Sequence, residues 1–366
     1  MEAAVQKHGG NIVEAASRYQ RDARSFIDFS ANINPLGVPV SVKRVIIENL
    51  DLLVHYPDPG CRALKEALSG SIGVPVESII VGNGGSELIY LLARVIKPKK
   101  ALILHPTFSE YGDAVLAAGG EVESLLASPG TGFYHDLSAM PRLPQMEGVE
   151  MIFLCNPNNP TGRTWTREEV LGLAGWSAAR GIWLVVDEAF MDFVDDWAER
   201  EVIAAASSRS RLIVTRSMTK FFALAGLRLG YAVASRDTVE RLEASREPWS
   251  VNWLAQVAGV AALADKDYQA RTREWIEEER RYMARELSAI AGLESWPTET
   301  NYMLLRIKRE NRYTRDLQAV LGPRGLLIRD GSSFPGLGPD YFRVAIRSRP
   351  ENQRLLDELR RALAQL

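Results

Sequence analysis

Arg216-Ser217-Met218-Thr219-Lys220 is the stretch that decides the predicted fold, and it directly follows the apolar run 212–215. A short apolar run of this kind is typical of a buried β-strand. Two phenylalanines follow Lys220, at 221–222, so its ammonium group is expected to be partly desolvated. Desolvation lowers the pKa of a lysine and favours the free amine, which can form a Schiff base with an aldehyde cofactor.

A hydroxyl and a guanidinium flank this lysine in the sequence. Ser217 lies three residues before Lys220, and Arg228 lies eight residues after it. Both groups are suited to binding a phosphate. A lone lysine after a core strand would more simply be a surface residue, but the flanking groups favour a nucleophilic lysine beside a bound phosphate.

The lysine segment has the pattern of a known family. Ser217, Lys220 and Arg228, followed by Leu229-Gly230-Tyr231, resemble the lysine segment of fold-type I aminotransferases that use pyridoxal 5'-phosphate (PLP). Further segments match in order, so the resemblance covers most of the chain. It implies an α/β fold with a mainly parallel seven-stranded sheet in a large domain and a smaller α+β domain. It also implies PLP as the cofactor, with Lys220 attached to it.

A glycine-rich turn supplies the candidate phosphate site. Gly82-Asn83-Gly84-Gly85-Ser86-Glu87 lies between an apolar run and a helical pattern. The backbone N–H groups of Gly85 and Ser86, aided by the helix dipole, would bind an anion, although most glycine-rich turns are only turns. The family holds the PLP phosphate at this position, so the resemblance assigns Gly84, Gly85 and Ser86 to cofactor binding.

Three more residues are candidates for contacts with the cofactor ring. Phe108 follows an apolar strand and could stack on the ring, although an aromatic residue there is more often part of the core. Asn159 belongs to the specific heptapeptide 156–162, whose match in the family bonds the ring hydroxyl. Asp187 ends another apolar run, where α/β sheets place ligands, and its carboxylate would pair with the pyridinium nitrogen. Taken alone, Asp187 would be interpreted as a helix cap.

Phe190 is a departure from much of the family. Many relatives, including histidinol-phosphate aminotransferases, carry a tyrosine at this position that donates to the ring hydroxyl. The Asp-Glu-Ala-Phe sequence that ends at Phe190 resembles instead the threonine-phosphate decarboxylase branch. The absence of this donor would change the electronics of the bound cofactor.

Two amino-terminal stretches point to the same branch. They are His8-Gly9-Gly10-Asn11 and the segment 28–37. Adjacent glycines allow the backbone to approach a ligand closely, although a turn before a helix is the simpler interpretation. Together the stretches resemble the opening of the threonine-phosphate decarboxylases of cobalamin biosynthesis, in which this arm folds over the active site. His8, Gly9 and Asn32 are therefore candidate substrate contacts, as is Asn159.

Two arginines near the carboxyl terminus are further candidates for substrate binding. Arg343 lies among strand-like apolar residues and would need an anionic partner if it is buried. In the family, this arginine binds the α-carboxylate of the substrate. Arg329 resembles an extra arginine of the branch that acts on phosphorylated substrates, although a surface salt bridge is the alternative.

Tyr56 points to a homodimer. It lies in His55-Tyr56-Pro57-Asp58-Pro59, where the prolines keep the chain extended. The simpler interpretation is a linker. In the family, the matching tyrosine reaches the cofactor phosphate of the other subunit.

Length, charge and cysteine content limit the remaining possibilities. The chain has 366 residues, which predicts two domains, and a net charge of −2, which argues against a nucleic-acid partner. The sequence has no apolar run of roughly 18 residues, which a membrane-spanning helix would require. The start of the chain lacks the charged-then-apolar layout of a signal peptide. Cys61 and Cys155 lack metal-site spacing and are expected to be reduced thiols of a cytoplasmic protein.

The predicted domains are an amino-terminal arm over 1–45 that packs with the small domain, a large PLP domain over 46–247, and a small domain over 248–366. The resemblance implies PLP-dependent decarboxylation of L-threonine O-3-phosphate to (R)-1-amino-2-propanol O-2-phosphate, with Lys220 and Asp187 as catalytic residues. The alternative is a histidinol-phosphate aminotransferase or a related class I/II aminotransferase. A sensor without turnover is a third possibility, but such proteins carry a basic DNA-binding domain that this sequence lacks.

Overall fold

The computed structural model describes residues 8–366. Its strands are β1 (Ile27–Asp28), β2 (Ile79–Gly82), β3 (Lys100–His105), β4 (Glu121–Leu126), β5 (Met151–Cys155), β6 (Trp183–Asp187), β7 (Leu212–Ser217), β8 (Gly230–Val233), β9 (Leu293–Ser295), β10 (Tyr302–Ile307), β11 (Leu326–Leu327), β12 (Arg329–Asp330) and β13 (Tyr341–Ala345). Its α-helices are α1 (Ile12–Tyr19), α2 (Val40–Glu48), α3 (Arg62–Ile72), α4 (Gly85–Ile96), α5 (Glu110–Ala117), α6 (Arg167–Ala178), α7 (Trp197–Arg200), α8 (Ile203–Ala206), α9 (Met218–Phe221), α10 (Arg236–Glu243), α11 (Trp253–Ala264), α12 (Lys266–Ser288), α13 (Thr314–Leu321) and α14 (Arg349–Gln365).

The central sheet has seven strands in the order β2-β8-β7-β6-β5-β3-β4. All neighbouring pairs are parallel except the two made by β8, which runs antiparallel to β2 and to β7. Alternate residues of β5 enter two separate apolar clusters, because successive side chains point to opposite faces of the sheet. Both faces are thus covered, as parallel sheets require. The predicted α/β fold with a mainly parallel seven-stranded sheet is confirmed.

Local sequence signals explain where several helices begin. Thr166 caps α6, and its side chain and that of Glu169 exchange hydrogen bonds with each other's backbone, as the capping-box pattern predicts. The long helix α12, at Lys266–Ser288, is rich in charged residues. Within residues 8–366, each helix is too short or too polar to cross a bilayer.

A second sheet has the order β12-β13-β10-β9 and is antiparallel throughout. The amino-terminal segment contacts this half of the chain, because β1 pairs in parallel with β11. The ring of Tyr19 also packs directly on Gly322, where a Cβ atom would lie 2.0 Å from the ring. The division at residues 45 and 247 stays a prediction, and the first seven residues of the predicted arm lie outside the described residues.

The topology brings four loops to one edge of the central sheet. Strands β3, β5, β6 and β7 are adjacent and parallel, so their carboxyl ends lie at the same edge. Phe108 and Asn159 follow the first two of these ends, Asp187 is the last residue of β6, and Lys220 follows β7. This edge is where open α/β sheets bind their ligands.

Candidate active site

Two adjoining cavities at this edge contain most of the predicted site residues. The smaller has a volume of about 90 Å³ and the larger of about 560 Å³, and both are lined by Lys220 and Asn159. The predicted residues that line one or both are His8, Gly9, Asn32, Gly85, Ser86, Phe108, Asn159, Asp187, Ser217, Lys220, Arg228, Arg329 and Arg343. Of the other two, Gly84 packs against Arg228, and Tyr56 lies elsewhere on the surface.

Lys220 lies in the short helix α9, which begins directly after β7. The Ser217 hydroxyl caps this helix by accepting a hydrogen bond from the Thr219 N–H at 3.3 Å. Burial, and then the nearby charge of Arg228, lower the pKa of the Lys220 amine to about 8. A larger share of this lysine is therefore a free amine near neutral pH than is usual, as a nucleophile requires.

Asp187 is a buried carboxylate that is held from three directions. It accepts hydrogen bonds from the Tyr111 hydroxyl at 2.7 Å, the Thr215 hydroxyl at 3.1 Å and the Ala189 N–H at 3.1 Å. Burial raises the pKa of Asp187, whereas these donors and the charge of Lys220 oppose the rise. A carboxylate in this position suits a cationic partner, such as a protonated ring nitrogen.

Sequence reasoning did not identify Tyr111 or Thr215. Thr215 lies directly opposite Asp187 in the pairing of β6 with β7, a register that the sequence alone does not specify. Tyr111 is in α5, three residues after Phe108, and its ring stacks on Phe153 with centroids 5.0 Å apart. The signal available for Thr215 was a hydroxyl at the end of an apolar run, whereas Tyr111 lies among polar residues and gives no such signal.

The amino terminus of α4 and Arg228 form a site suited to phosphate. A Cβ atom at Gly84 would lie 2.6 Å from Nη2 of Arg228, and one at Gly230 would lie 2.7 Å from the Gly85 nitrogen. The guanidinium and the start of the helix can be this close only because both positions are glycine. The N–H groups of Gly85 and Ser86, the helix dipole and the guanidinium would all favour an anion there. These residues fit the phosphate of PLP.

The ring-contact candidates have distinct surroundings. Phe108 packs edge-on against Tyr111, with ring centroids 5.6 Å apart. Phe190 is buried and packs edge-on against Tyr302, whose hydroxyl donates to the Asn158 carbonyl at 2.9 Å. The Asn159 side-chain oxygen accepts a hydrogen bond from Arg343, so its side-chain nitrogen is the atom left to donate to a ligand oxygen.

Arg343 and Arg329 lie directly opposite each other in the pairing of β13 with β12. Arg343 is 6% exposed, donates to the Ser30 carbonyl at 2.7 Å, and has no carboxylate within 4.0 Å among residues 8–366. Burial, and then the charge of Arg329, lower the pKa of Arg343 to about 9. Arg329 is 5% exposed and donates to the Ser333 hydroxyl at 2.6 Å. The two guanidinium groups give this end of the cavity a positive charge that suits an anionic ligand.

His8 and Asn32 line the larger cavity together with these arginines. Nε2 of His8 lies 2.9 Å from a carboxylate oxygen of Glu110, at the start of α5. Asn32 is buried, and within residues 8–366 its side-chain oxygen has no hydrogen-bond partner. Asn32 is therefore available to contact a ligand in this cavity, whereas Nε2 of His8 is engaged by Glu110.

Tyr56 is not brought to the cavity of its own chain. It is 79% exposed and stacks on Trp249, with ring centroids 4.7 Å apart. The sequence predicted that it reaches the cofactor site of another subunit, which a single chain does not test. The roles assigned to Tyr56 and to the cavity residues stay predictions.

Comparisons with known proteins agree with this geometry. The family model for class I and II aminotransferases matches residues 24–359. The threonine-phosphate decarboxylase of Salmonella typhimurium is 41% identical over 357 residues, which cover 97% of this chain and 96% of that protein. The histidinol-phosphate aminotransferase of Moorella thermoacetica is 34% identical over 364 residues, covering 97% and 90%. The crystal structure of L-threonine-O-3-phosphate decarboxylase from Porphyromonas gingivalis is similar with a TM-score of 0.81 and 29% identity, covering 92% of this chain and 99% of that one.

Proposed function

This chain belongs to the class I and II aminotransferase family, and we propose that it decarboxylates L-threonine O-3-phosphate to (R)-1-amino-2-propanol O-2-phosphate with PLP as its cofactor. The observation that carries the proposal is the opposed pair Arg329 and Arg343, which line the same cavity as Lys220. A substrate with both a carboxylate and a phosphate has two anionic groups, which suit the two arginines that line this cavity. The sequence resemblance implies that this step belongs to cobalamin biosynthesis.

PLP fits the smaller cavity by the chemistry of its lining. Gly85, Ser86 and Arg228 offer N–H donors and positive charge for a phosphate, and Asp187 offers a carboxylate for the ring nitrogen. When bound, PLP supplies an aldehyde that reacts with an amine and a pyridinium ring that accepts an electron pair. Lys220 is the amine whose lowered pKa suits that attachment.

The protein's own residues then direct the reaction. Asp187 would hold the proton on the ring nitrogen, and Phe108 would lie against the ring. Arg329, with His8 and Asn32, holds the substrate phosphate. Anchored at that end, the substrate would present the bond between its Cα and its carboxylate for cleavage.

Arg343 contacts the carboxylate until it leaves as CO2. As the bond to Cα breaks, its electron pair stays with the part of the substrate that remains in the site. Lys220 then delivers a proton to Cα, so that one proton replaces the carboxylate. Asp187, Arg329 and Arg343 are buried, which limits the access of water to their part of the site.

The active form is proposed to be a homodimer. Tyr56 belongs to a group of exposed apolar side chains in and after α2, among them Val40 and Val54, which are 79% and 81% exposed. Apolar groups of this extent on a surface mark an interaction site. A second copy of the chain would cover them and bring Tyr56 near the other subunit's phosphate site. A cytoplasmic location also stays a prediction, supported by two buried, unlinked cysteines.

Transamination of histidinol phosphate is the second candidate, because the Moorella thermoacetica relative covers nearly the whole chain. The test is to incubate the PLP-loaded protein with phosphothreonine alone, and separately with histidinol phosphate plus 2-oxoglutarate. We expect CO2 release from the first mixture and little glutamate from the second. Glutamate formation without CO2 release would reject decarboxylation and favour the second candidate.

A further inference from the structure

Ser30 connects the amino-terminal segment to the arginine site. Its hydroxyl accepts a hydrogen bond from the Gly10 N–H at 2.9 Å and donates to an Asp28 carboxylate oxygen at 2.5 Å. Its carbonyl accepts a hydrogen bond from Nη2 of Arg343 at 2.7 Å. One buried residue therefore contacts the segment through its side chain and Arg343 through its backbone.

Gly9 lies directly on the same carbonyl group. A Cβ atom at this position would be 2.2 Å from the Ser30 carbonyl oxygen and 2.7 Å from its carbon. Neither atom can move aside as the end of a flexible side chain can, because both belong to the backbone. Gly10 has a φ of +88°, in the region that favours glycine. The segment can thus take this position only with glycine at 9, and prefers glycine at 10.

A continuous set of contacts leads from this segment to the centre of the site. Gly10 bonds to Ser30, Ser30 bonds to Arg343, and the Nη1 group of Arg343 donates to the side chain of Asn159. On the other side, His8 contacts Glu110, which also accepts a hydrogen bond from the Tyr90 hydroxyl at 2.9 Å. The segment is therefore attached at one end to α5 and at the other to the residue that holds Arg343.

We propose that Ser30 is a positioning residue, which couples the docking of segment 8–11 over the cavity to the orientation of Arg343. When the segment is docked, Ser30 is held by Gly10 and Asp28, and its carbonyl is aimed at the guanidinium. When the segment leaves, one of the two bonds to the Ser30 hydroxyl is lost and the carbonyl is uncovered. Arg343 is then less well oriented toward the substrate carboxylate. Within this proposal, the identity of the substrate rests on the proposed function, whereas the docking of segment 8–11 by Ser30 does not.

The test uses the PLP-loaded protein with Gly9→Ala, Ser30→Ala and the control Gly70→Ala. Gly70 lies in α3, and a Cβ atom there would meet nothing within 4 Å. Hydrogen exchange measured by mass spectrometry reports docking through the peptide 8–19. KM and kcat report the orientation of Arg343. Both are measured with phosphothreonine or with histidinol phosphate, whichever of the two the wild type converts.

We expect both site variants to exchange faster over 8–19 and to raise KM by about two- to tenfold, the effect of losing one hydrogen bond. PLP content and kcat should change much less, and Gly70→Ala should match the wild type. Unchanged exchange in both variants would overturn the docking contact. Faster exchange with unchanged KM would overturn the coupling to Arg343. If the wild type released no CO2 from phosphothreonine, the proposed function would fail, while the exchange measurement would still decide whether Ser30 docks the segment.

Discussion

At the scale of single residues, Asp187 shows how opposing effects set the state of one group. Burial raises the pKa of this carboxylate, whereas its hydrogen bonds from Tyr111 and Thr215 lower it. The shortest of its three bonds, at 2.7 Å, comes from Tyr111. Tyr111 therefore favours the ionised form of Asp187 and helps to orient it, as its proposed role beside the ring nitrogen requires.

Tyr111→Phe removes that donor and leaves the ring packing in place. A hydrogen bond to a charged group contributes about 1.5–3 kcal/mol, so we expect PLP to bind about ten- to a hundredfold more weakly and kcat to fall. The measurement is a titration of the PLP-free protein with PLP, together with kcat. Tyr134→Phe is the matched control, since the Tyr134 hydroxyl also bonds a carboxylate, that of Glu169, outside either cavity. Wild-type PLP affinity in Tyr111→Phe would contradict this role.

Arg329→Ala tests the contact proposed for the substrate phosphate. Losing a charge-assisted hydrogen bond typically weakens binding by about ten- to a hundredfold, so phosphothreonine should bind more weakly while PLP stays bound. A substrate held less firmly should also lose its Cα proton more often, which raises a side transamination. The measurement is the ratio of CO2 to pyridoxamine phosphate, together with KM.

Arg306→Ala is the control for that substitution. Arg306 is an arginine in the same antiparallel sheet, where it pairs with Asp340 at 2.6 Å outside the cavities. It should behave as the wild type in both measurements. If Arg329→Ala kept wild-type affinity and product ratio, the arginine would not hold the phosphate.

At the scale of elements, the start of α4 and the entry to β8 form one unit. Gly84 has a φ of +83°, and Arg228 takes a left-handed conformation that is uncommon for a residue with a side chain. The two positions place a guanidinium directly against the first turn of the helix. Helix and strand ends, rather than side chains alone, therefore form the candidate phosphate site.

Gly84→Ala should disturb this unit. The new Cβ atom would lie 2.6 Å from Nη2 of Arg228, so the guanidinium must move, and the positive φ adds strain of about 1 kcal/mol. We expect PLP affinity to fall about tenfold or more, with a small loss in Tm. Gly172→Ala in α6 is the control, because a Cβ atom there meets nothing within 4 Å. Equal PLP affinity in the two variants would show that Arg228 does not need its present position.

Two buried histidines, His105 and His135, lie together at the end of β3. Nε2 of His135 lies 2.9 Å from the His105 carbonyl oxygen. Burial, and then the proximity of His135, lower the pKa of His105 to about 4, and burial also lowers the pKa of His135. The folded protein therefore favours neutral rings at this position, where β3 leads into the loop that carries Phe108.

The stability of the folded protein should fall as the pH falls, because these rings are neutral in the folded state. In the unfolded chain a histidine binds a proton near pH 6.5, whereas folded His105 does so only near pH 4. Stability is thus complete above about pH 6.5 and is lost as the pH falls toward 4, by up to about 3 kcal/mol for His105. Urea unfolding at several pH values measures this loss. His105→Asn should flatten the decline between pH 6.5 and 5, and an unchanged slope would contradict the assignment.

At the scale of the whole molecule, a single chain leaves apolar side chains around Tyr56 exposed. Tyr56 stacks on Trp249 beside exposed apolar residues, among them Val54. Exposed aromatic and aliphatic groups in one place are typical of a subunit interface. The proposed homodimer would therefore complete two sites at once, as a two-fold symmetric interface does.

Mixing two inactive variants tests this arrangement. Tyr56→Ala lacks the residue that is proposed to reach the phosphate site of the other subunit. Lys220→Ala lacks the nucleophilic amine. Each variant alone should therefore be nearly inactive. In a mixed dimer one of the two sites is intact. Random exchange of subunits should thus restore roughly a quarter of wild-type activity. A lack of recovery, with mixed dimers demonstrated by mass spectrometry, would count against a shared site.

The sequence by itself determined the sheet and the positions of the main cofactor candidates. Apolar runs specify strands, and parallel strands must end at one edge, so the residues that follow each strand converge there. The glycines before α4 and the capping box of α6 are likewise local signals that need no knowledge of the rest of the chain. The departure at Phe190 was also visible in the sequence.

Only the tertiary structure decided which groups support those candidates. Tyr111 and Thr215 meet Asp187, and Ser30 meets Arg343, across separations of 76, 28 and 313 residues. The antiparallel β8 and the opposition of Arg329 to Arg343 likewise depend on strand register. Such contacts follow from how distant elements pack against each other. Hydrophobic periodicity indicates that a residue is buried, but not which distant side chain it will contact.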